Sequence, residues 1–597
     1  MKYLWVVSVA VVFTGCASSV QTLSPGRLGV GLPGVASSLS VDPETEQQSE
    51  MMASFLKGEV AFNNEDLDLA LQYFQEADLL AAGPIPVLHR QLALLALEKG
   101  DLQLALDSST KLVCVSTEAD DFLLHGGILQ NNDKGSEAVS YFERAVELSP
   151  EQVDLYFHLA AAYMNVDASN KAIETLRRLM LRRSEDLLVY FYLGLAYEMS
   201  GDYAKASETF SRLHEKWPEN ALGGLHYVRL LVRGNQRAKA VKVVESLSKQ
   251  SPFDTNVRRV QAILSLPGVS NKKLLAALVF LDRKSFDYNE IRLELALRDI
   301  ESRQFKSAQI HLLLILAKRP EDSKVRYYYA SLLAAGTRQK SAIRELEKIA
   351  SDQKMFIESR VFASFIYREL ENLGGAESVL KEAIEVKNTD LNLWFYLIDV
   401  LREAKKYSQA VDVISDALEQ FPDDDKLHFM NGIILHDLGK ERKATAAMER
   451  TLEINPMHTH ALNYLAYNLA EEGEDLTRAH ELVSRALELH PDDGYFLDTL
   501  GWIYYKQGEY EKALSTLARA VRLTGGDIVV MEHYADCLIA VDQFEKALRF
   551  YNAAVNLGEE NPSKEEQEAF ERIEKKVRRL LKDRPELRSI LAHSATM

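Results

Sequence analysis

Two clusters of side chains in this sequence could do chemistry. Between Lys171 and Arg259 there are 16 Lys and Arg against 10 Asp and Glu, in a chain whose formal net charge is −18. Arg229, Arg233 and Arg237 succeed one another four apart in that stretch, so Arg229 and Arg233 share a helix face. Guanidinium groups so placed hold a carboxylate or a phosphate in a fork of hydrogen bonds, which would suit an acidic partner segment. The second cluster is aromatic and polar: Asn463, Tyr467, Tyr495, Asp498, Trp502 and Tyr505. Large rigid rings beside a few polar groups are how peptide-binding surfaces gain affinity. Each cluster also has a plainer reading, as a solvated charged face and as rings packed between helices.

Catalytic patterns are missing. There is no Gly-rich phosphate loop, no His-Glu-x-x-His, no Cys-x-x-Cys and no Gly-x-Ser-x-Gly. Six of the 14 histidines fall between 428 and 490, but His458 and His460 are two apart and point to different sides of a helix. No metal or cofactor is expected, and no enzyme. The acidic balance argues against a nucleic-acid binder, which needs a basic surface to meet phosphates.

The elements that position these residues follow a ruler. An alanine, a large apolar residue four on, a small or apolar one seven on and a proline about twelve on recur along the chain. The alanines stand at 70, 105, 138, 172, 206 and 240, then at 308, 342, 376, 410, 444, 479, 513 and 547. The spacing is 33 to 35 throughout, apart from one double step of 68 that spans a degenerate unit near Leu274. Twelve residues before several alanines stands a small residue (Gly126, Ala160, Gly194, Gly432, Gly501), which lets two helices approach closely. Gly201-Asp202 and Gly508-Glu509 mark turns between helices, and Pro218, Pro320 and Pro456 mark helix ends.

Such a period is the signature of a repeat solenoid. The order small residue, Tyr, Ala, Phe, Ala, Pro resembles the tetratricopeptide (TPR) repeat over residues of about 51 to 560. The resemblance implies an all-α solenoid, a right-handed superhelix of about fifteen helix-turn-helix units whose first helices line a concave groove. In that register the six aromatic and polar residues face the groove near its C-terminal end, and Arg229 and Arg233 line it earlier. A bend is expected in residues 222–300, where the repeat pattern weakens around 254–287. Each unit of such an array touches only its neighbours, so Cys114 and Cys537 are not expected to pair, and both read as buried. Residues 563–597 read as a capping helix and tail, acidic at its start and basic at Lys575, Lys576, Arg578, Arg579 and Lys582, as the helix dipole favours.

The N-terminus is of another kind. Lys2, the apolar run from Tyr3 to Phe13 and small residues at 14–15 describe a signal peptide, too short to stay as a membrane span. Phe13-Thr14-Gly15-Cys16 resembles the bacterial lipobox, which implies cleavage before Cys16 and lipidation of its side chain. Ala17 in place of Asp implies the outer membrane, facing the periplasm. Residues 16–50, rich in Ser, Gly, Pro and Gln, read as a tether.

These features together lead us to expect a membrane-anchored scaffold of the bacterial envelope. It would bind partner proteins or peptides along the concave groove, in assembly or export of envelope components. A periplasmic scaffold binding polysaccharide is the alternative; a small-molecule ligand is not expected.

Overall fold

The computed structural model describes residues 42–266, 269–278, 288–556 and 564–588. Among these residues there are fifteen helix pairs and a last helix, Lys564–Asp583, with no strand. The expected signal peptide, Cys16 and residues 589–597 lie outside the described residues. The first helix runs Pro43–Asn63, so helix begins eight residues ahead of the expected start of the array at 51.

The period has a local cause in each pair. The first helix closes on a residue with positive φ, Gly201 at +82° or Asp133 at +59°, which reverses the chain. The second helix opens on a side-chain cap where the sequence provides one, as when Asp202 accepts from the Lys205 amide. It buries a single stripe, such as Ala138, Phe142 and Ala145 in Gly135–Leu148. The small residue of the first helix is required by contact, since a Cβ on Gly194 would stand 2.7 Å from the Phe210 ring. Tyr197, Phe210 and Leu193 are all buried, as expected of side chains filling the space between units.

One helix breaks the pattern. Phe305–Lys318 is a second helix by register, yet Ser307, Ala308 and every residue from Ile310 to Leu316 are buried. A helix buried all round must be covered on both sides. Its near side packs on its own partner, Tyr288–Glu301, and its far side on Pro86–Lys99 and Ala119–Asn131, nearly 200 residues earlier. The array therefore bends back in the region where its period weakens. A helix pair from the middle of the chain lies in the concave face of the N-terminal units. The expectation that each unit touches only its neighbours fails here, because the bend brings an apolar helix into reach of an apolar groove.

The seat is close-fitting. A Cβ on Gly127 would lie 2.3 Å from Leu314 Cδ1, so any larger residue there must displace the Leu314 side chain. Asn131 Nδ2 donates to the Leu314 carbonyl at 2.7 Å, and Arg292 Nη1 donates to Asn131 Oδ1 at 3.0 Å. The apolar core runs without a break from residue 93 through 230 and on from 295 to 379. Beyond it the C-terminal units form smaller, successive cores. Of the two cysteines described, Cys537 is buried, but Cys114 is exposed, because it caps a helix end outside the packed stripe.

Candidate functional site: the C-terminal groove

The helices Thr459–Glu472, Gly494–Lys506 and Ile528–Ala540 are the first helices of three successive units. They bring Tyr467, Asp498, Trp502 and Tyr505 together around a residue that the sequence reading passed over, His533. The Trp502 indole stacks on Tyr505 (centroids 4.7 Å apart, planes 5° apart) and on the His533 imidazole (4.2 Å, 19°). Tyr467 lies 6.1 Å from the same imidazole, and the Lys506 ammonium sits 5.0 Å from the indole centroid. Asp498 is buried and accepts from His533 Nδ1 with both carboxylate oxygens, at 2.9 and 3.0 Å.

The charge state follows from this geometry. Burial works against an imidazolium at His533, but Asp498, with Asp536 and Glu532 behind it, outweighs burial and raises its pKa above the ordinary range. Two polar atoms have no protein partner: Trp502 Nε1 and Asn463 Oδ1 are both buried without one. One can donate to a carbonyl and the other accept from an amide, the two groups that a peptide main chain offers. Tyr495 stands apart from the stack, more than half exposed, with its hydroxyl 3.5 Å from Asp527.

The last helix closes this end. Arg572 Nη2 and Lys576 Nζ meet the buried Glu532 carboxylate at 3.0 and 2.8 Å, and Lys576 also reaches Asp536 at 2.5 Å. Basic residues of the capping helix thus neutralise the acidic face of the last unit beside the stack. Further up the array, Arg368, Asp399, Arg402, Glu403, Tyr407 and Asp437 line an open cleft of about 560 Å³.

The three arginines of the basic cluster go to separate tasks. Arg229 is buried, with Nη2 2.6 Å from Glu198, a carboxylate that also meets His226 at 3.2 Å. Arg233 lies over the Tyr203 ring at 3.9 Å, and Arg237 donates to the Val269 carbonyl. His533 was legible in principle: it is an isolated imidazole just past the apolar run Ile528-Val529-Val530-Met531, next to the groove-register Glu532. Its pairing with Asp498 joins neighbouring units and carries no sequence motif.

Among the described residues, no three His, Cys, Asp or Glu side chains are grouped to hold a metal ion, and no helix is long and apolar enough to cross a membrane.

Tetratricopeptide-repeat family models match residues 386–560, 199–264 and 167–221. The chain is 32% identical over 139 residues to the TPR repeat-containing protein PA4667 of Pseudomonas aeruginosa, covering 22% of this chain and 23% of that protein. It is 29% identical over 157 residues to the TPR repeat-containing protein YpiA of Bacillus subtilis, covering 26% and 36%. The matched stretches thus span well under half of either relative. Among solved structures, Cut9 in the APC/C heterotetramer Cut9–Hcn1 aligns over 81% of this chain and 96% of its own at 14% identity and TM-score 0.32. Yeast Tom70 aligns over 79% and 99% at 16% identity and TM-score 0.31. Residues 167–264 and 386–560 thus match tetratricopeptide repeats, units that generally mediate protein–protein interaction and are typically not catalytic.

Proposed function

We propose that this protein is a membrane-anchored scaffold of the bacterial envelope that binds partner proteins along the groove of its C-terminal repeats, in assembly or export of envelope components. The observation that carries the reading is the Trp502 stack, whose indole N–H is buried with no acceptor in the chain. A buried donor without a partner is costly, and such groups are rare in a folded protein. A peptide carbonyl entering the groove satisfies it. The tether and the lipobox-like Cys16 support anchoring, with the periplasmic face of the outer membrane favoured by Ala17.

Affinity capture from crosslinked cells tests this, comparing the native chain with a Trp502→Ala, Tyr505→Ala double variant. Recovery of specific envelope proteins by the native chain alone supports the reading. Equal recovery by both moves the binding surface elsewhere. Recovery of glycan alone favours the polysaccharide scaffold instead. Anchoring has its own test: Cys16→Ser is expected to shift the protein from the membrane to the soluble fraction.

A further inference from the structure

The pair Tyr288–Glu301 and Phe305–Lys318 occupies the N-terminal groove as a ligand would. Its charges are sorted. The returning segment brings cations, and the N-terminal units meet them with carboxylates. Arg298 forks onto Asp186 at 3.0 and 3.2 Å, Lys318 reaches Asp133 at 3.2 Å, and Arg338 reaches the nearly buried Glu98 at 3.3 Å. Glu65 accepts from the Lys340 amide at 3.2 Å and its carbonyl accepts from Arg344 at 3.0 Å. Between these flanks lies an apolar helix on an apolar floor, with glycine at the point of closest approach.

The seam is imperfectly paired. Asp154, on the N-terminal side, and Asp299, on the returning helix, each keep a buried oxygen with no hydrogen-bond donor. The His311 imidazole comes within 3.4 Å of Asp299, yet neither ring nitrogen makes a hydrogen bond. An interface with such groups holds less tightly than its buried apolar area alone would give.

We propose that the concave face formed by Pro86–Lys99, Ala119–Asn131 and Val153–Asn165 is a binding site for an apolar helix with basic flanks. The chain fills it in cis with residues 305–318, and a partner protein's helix of the same chemistry takes that seat when the returning pair is released. This surface is distinct from the Trp502 groove, and its occupant differs in kind. A glycine floor admits a whole helix, whereas the bulky stack at Trp502 leaves unmet hydrogen-bonding atoms for main chain.

The test uses the full chain carrying Leu314→Glu, which places a carboxylate over Gly127, and a fluorescent synthetic peptide of residues 303–320. The expected result is retained helicity and peptide binding at least tenfold tighter than to the native chain. A peptide with Lys306, Lys318 and Arg319 changed to Glu is expected not to bind. Equal binding of the first peptide to both proteins, or no binding to the variant, overturns the proposal. Loss of helicity across the array also overturns it, because the helix is then a permanent strut. In the native chain, hydrogen exchange is expected to show 305–318 opening together with 119–131 ahead of the C-terminal units. Exchange of that helix only on global unfolding counts against release.

Discussion

The two grooves of this solenoid use the same pair of residue types and shift the histidine in opposite directions. In the N-terminal groove, Asp299 faces His311 at 3.4 Å without a hydrogen bond. In the C-terminal groove, Asp498 takes the His533 N–H with both oxygens at 2.9 and 3.0 Å. Burial disfavours charge on both members of the first pair, and the Arg292 guanidinium disfavours it further on His311. Burial, then the Asp299 carboxylate, pushes Asp154 up to about 7. Burial, then Asp120, pushes Asp299 up to about 6, while burial and the Arg292 guanidinium push His311 down to about 4. At His533 the surrounding carboxylates win over burial, and the imidazole gains basicity. An Asp–His contact is therefore no charge assignment by itself; the third and fourth neighbours decide it.

The filled and the open groove should also differ in what damages them. One sensitive point is the floor of the filled one. Gly127→Val sets a side chain against Leu314, and overpacking of a close-fitted core costs about 1–3 kcal/mol, occasionally more. Denaturant unfolding should show this loss, and hydrogen exchange should place it in 305–318. A loss spread evenly over the array would erase the distinction between seat and scaffold. Asp498→Ala should cost about 3 kcal/mol, since removing one partner of a buried pair leaves the other uncompensated. The same unfolding measurement, run with and without His533→Gln, checks that the two effects are not additive.

pH sharpens the contrast further. His533, with a raised folded pKa, stabilises the C-terminal groove fully below about 6.5, and that contribution fades as pH rises through its folded value. Asp498→Asn should flatten this dependence in unfolding curves taken between pH 5 and 9. In the N-terminal seam two trends oppose. The carboxyls stabilise docking below their ordinary value of 3.8, and this is lost as pH rises through about 6 and 7. The neutral His311 and His158 stabilise docking above their ordinary 6.5, and this is lost as pH falls, toward about 4 for His311. Protons taken up by the acids replace those shed by the imidazoles, so docking should be nearly flat between pH 5 and 7. His311→Gln should unmask a weakening of about 1 kcal/mol per unit as pH rises, and Asp154→Asn a similar weakening as pH falls. Hydrogen exchange of 305–318 across that range reads both. Arg298 bridges Asp186 at 3.0 Å and Asp154 at 3.7 Å.

The smallest effect on stability is expected for Trp502→Phe. It keeps a ring in the stack and removes a buried N–H that has no acceptor, so stability should change by less than about 1 kcal/mol. Partner capture should nevertheless fall. A variant that binds as well as the native chain would separate the indole N–H from recognition.

The arithmetic of 33 to 35 residues between alanines was enough to establish the helix pairs, their turns and the close approach at Gly194, because each depends on contacts within one unit or with the next. The groove cluster was legible in part: Tyr467, Asp498, Trp502 and Tyr505 follow from the register, while His533 does not, because its role lies in a contact between units. Arg229 shows the opposite failure. Its spacing suggested an exposed docking group, and only the fold reveals Glu198 beside it. The run Ile310 to Leu316, apolar but for His311, was passed over by the repeat reading, and it carries no sign of what covers it. That was decided when the bend brought residue 314 onto residue 127. A periodic sequence encodes short-range packing directly, but the place where an array doubles back depends on small angular changes summed over many units, which no single residue records.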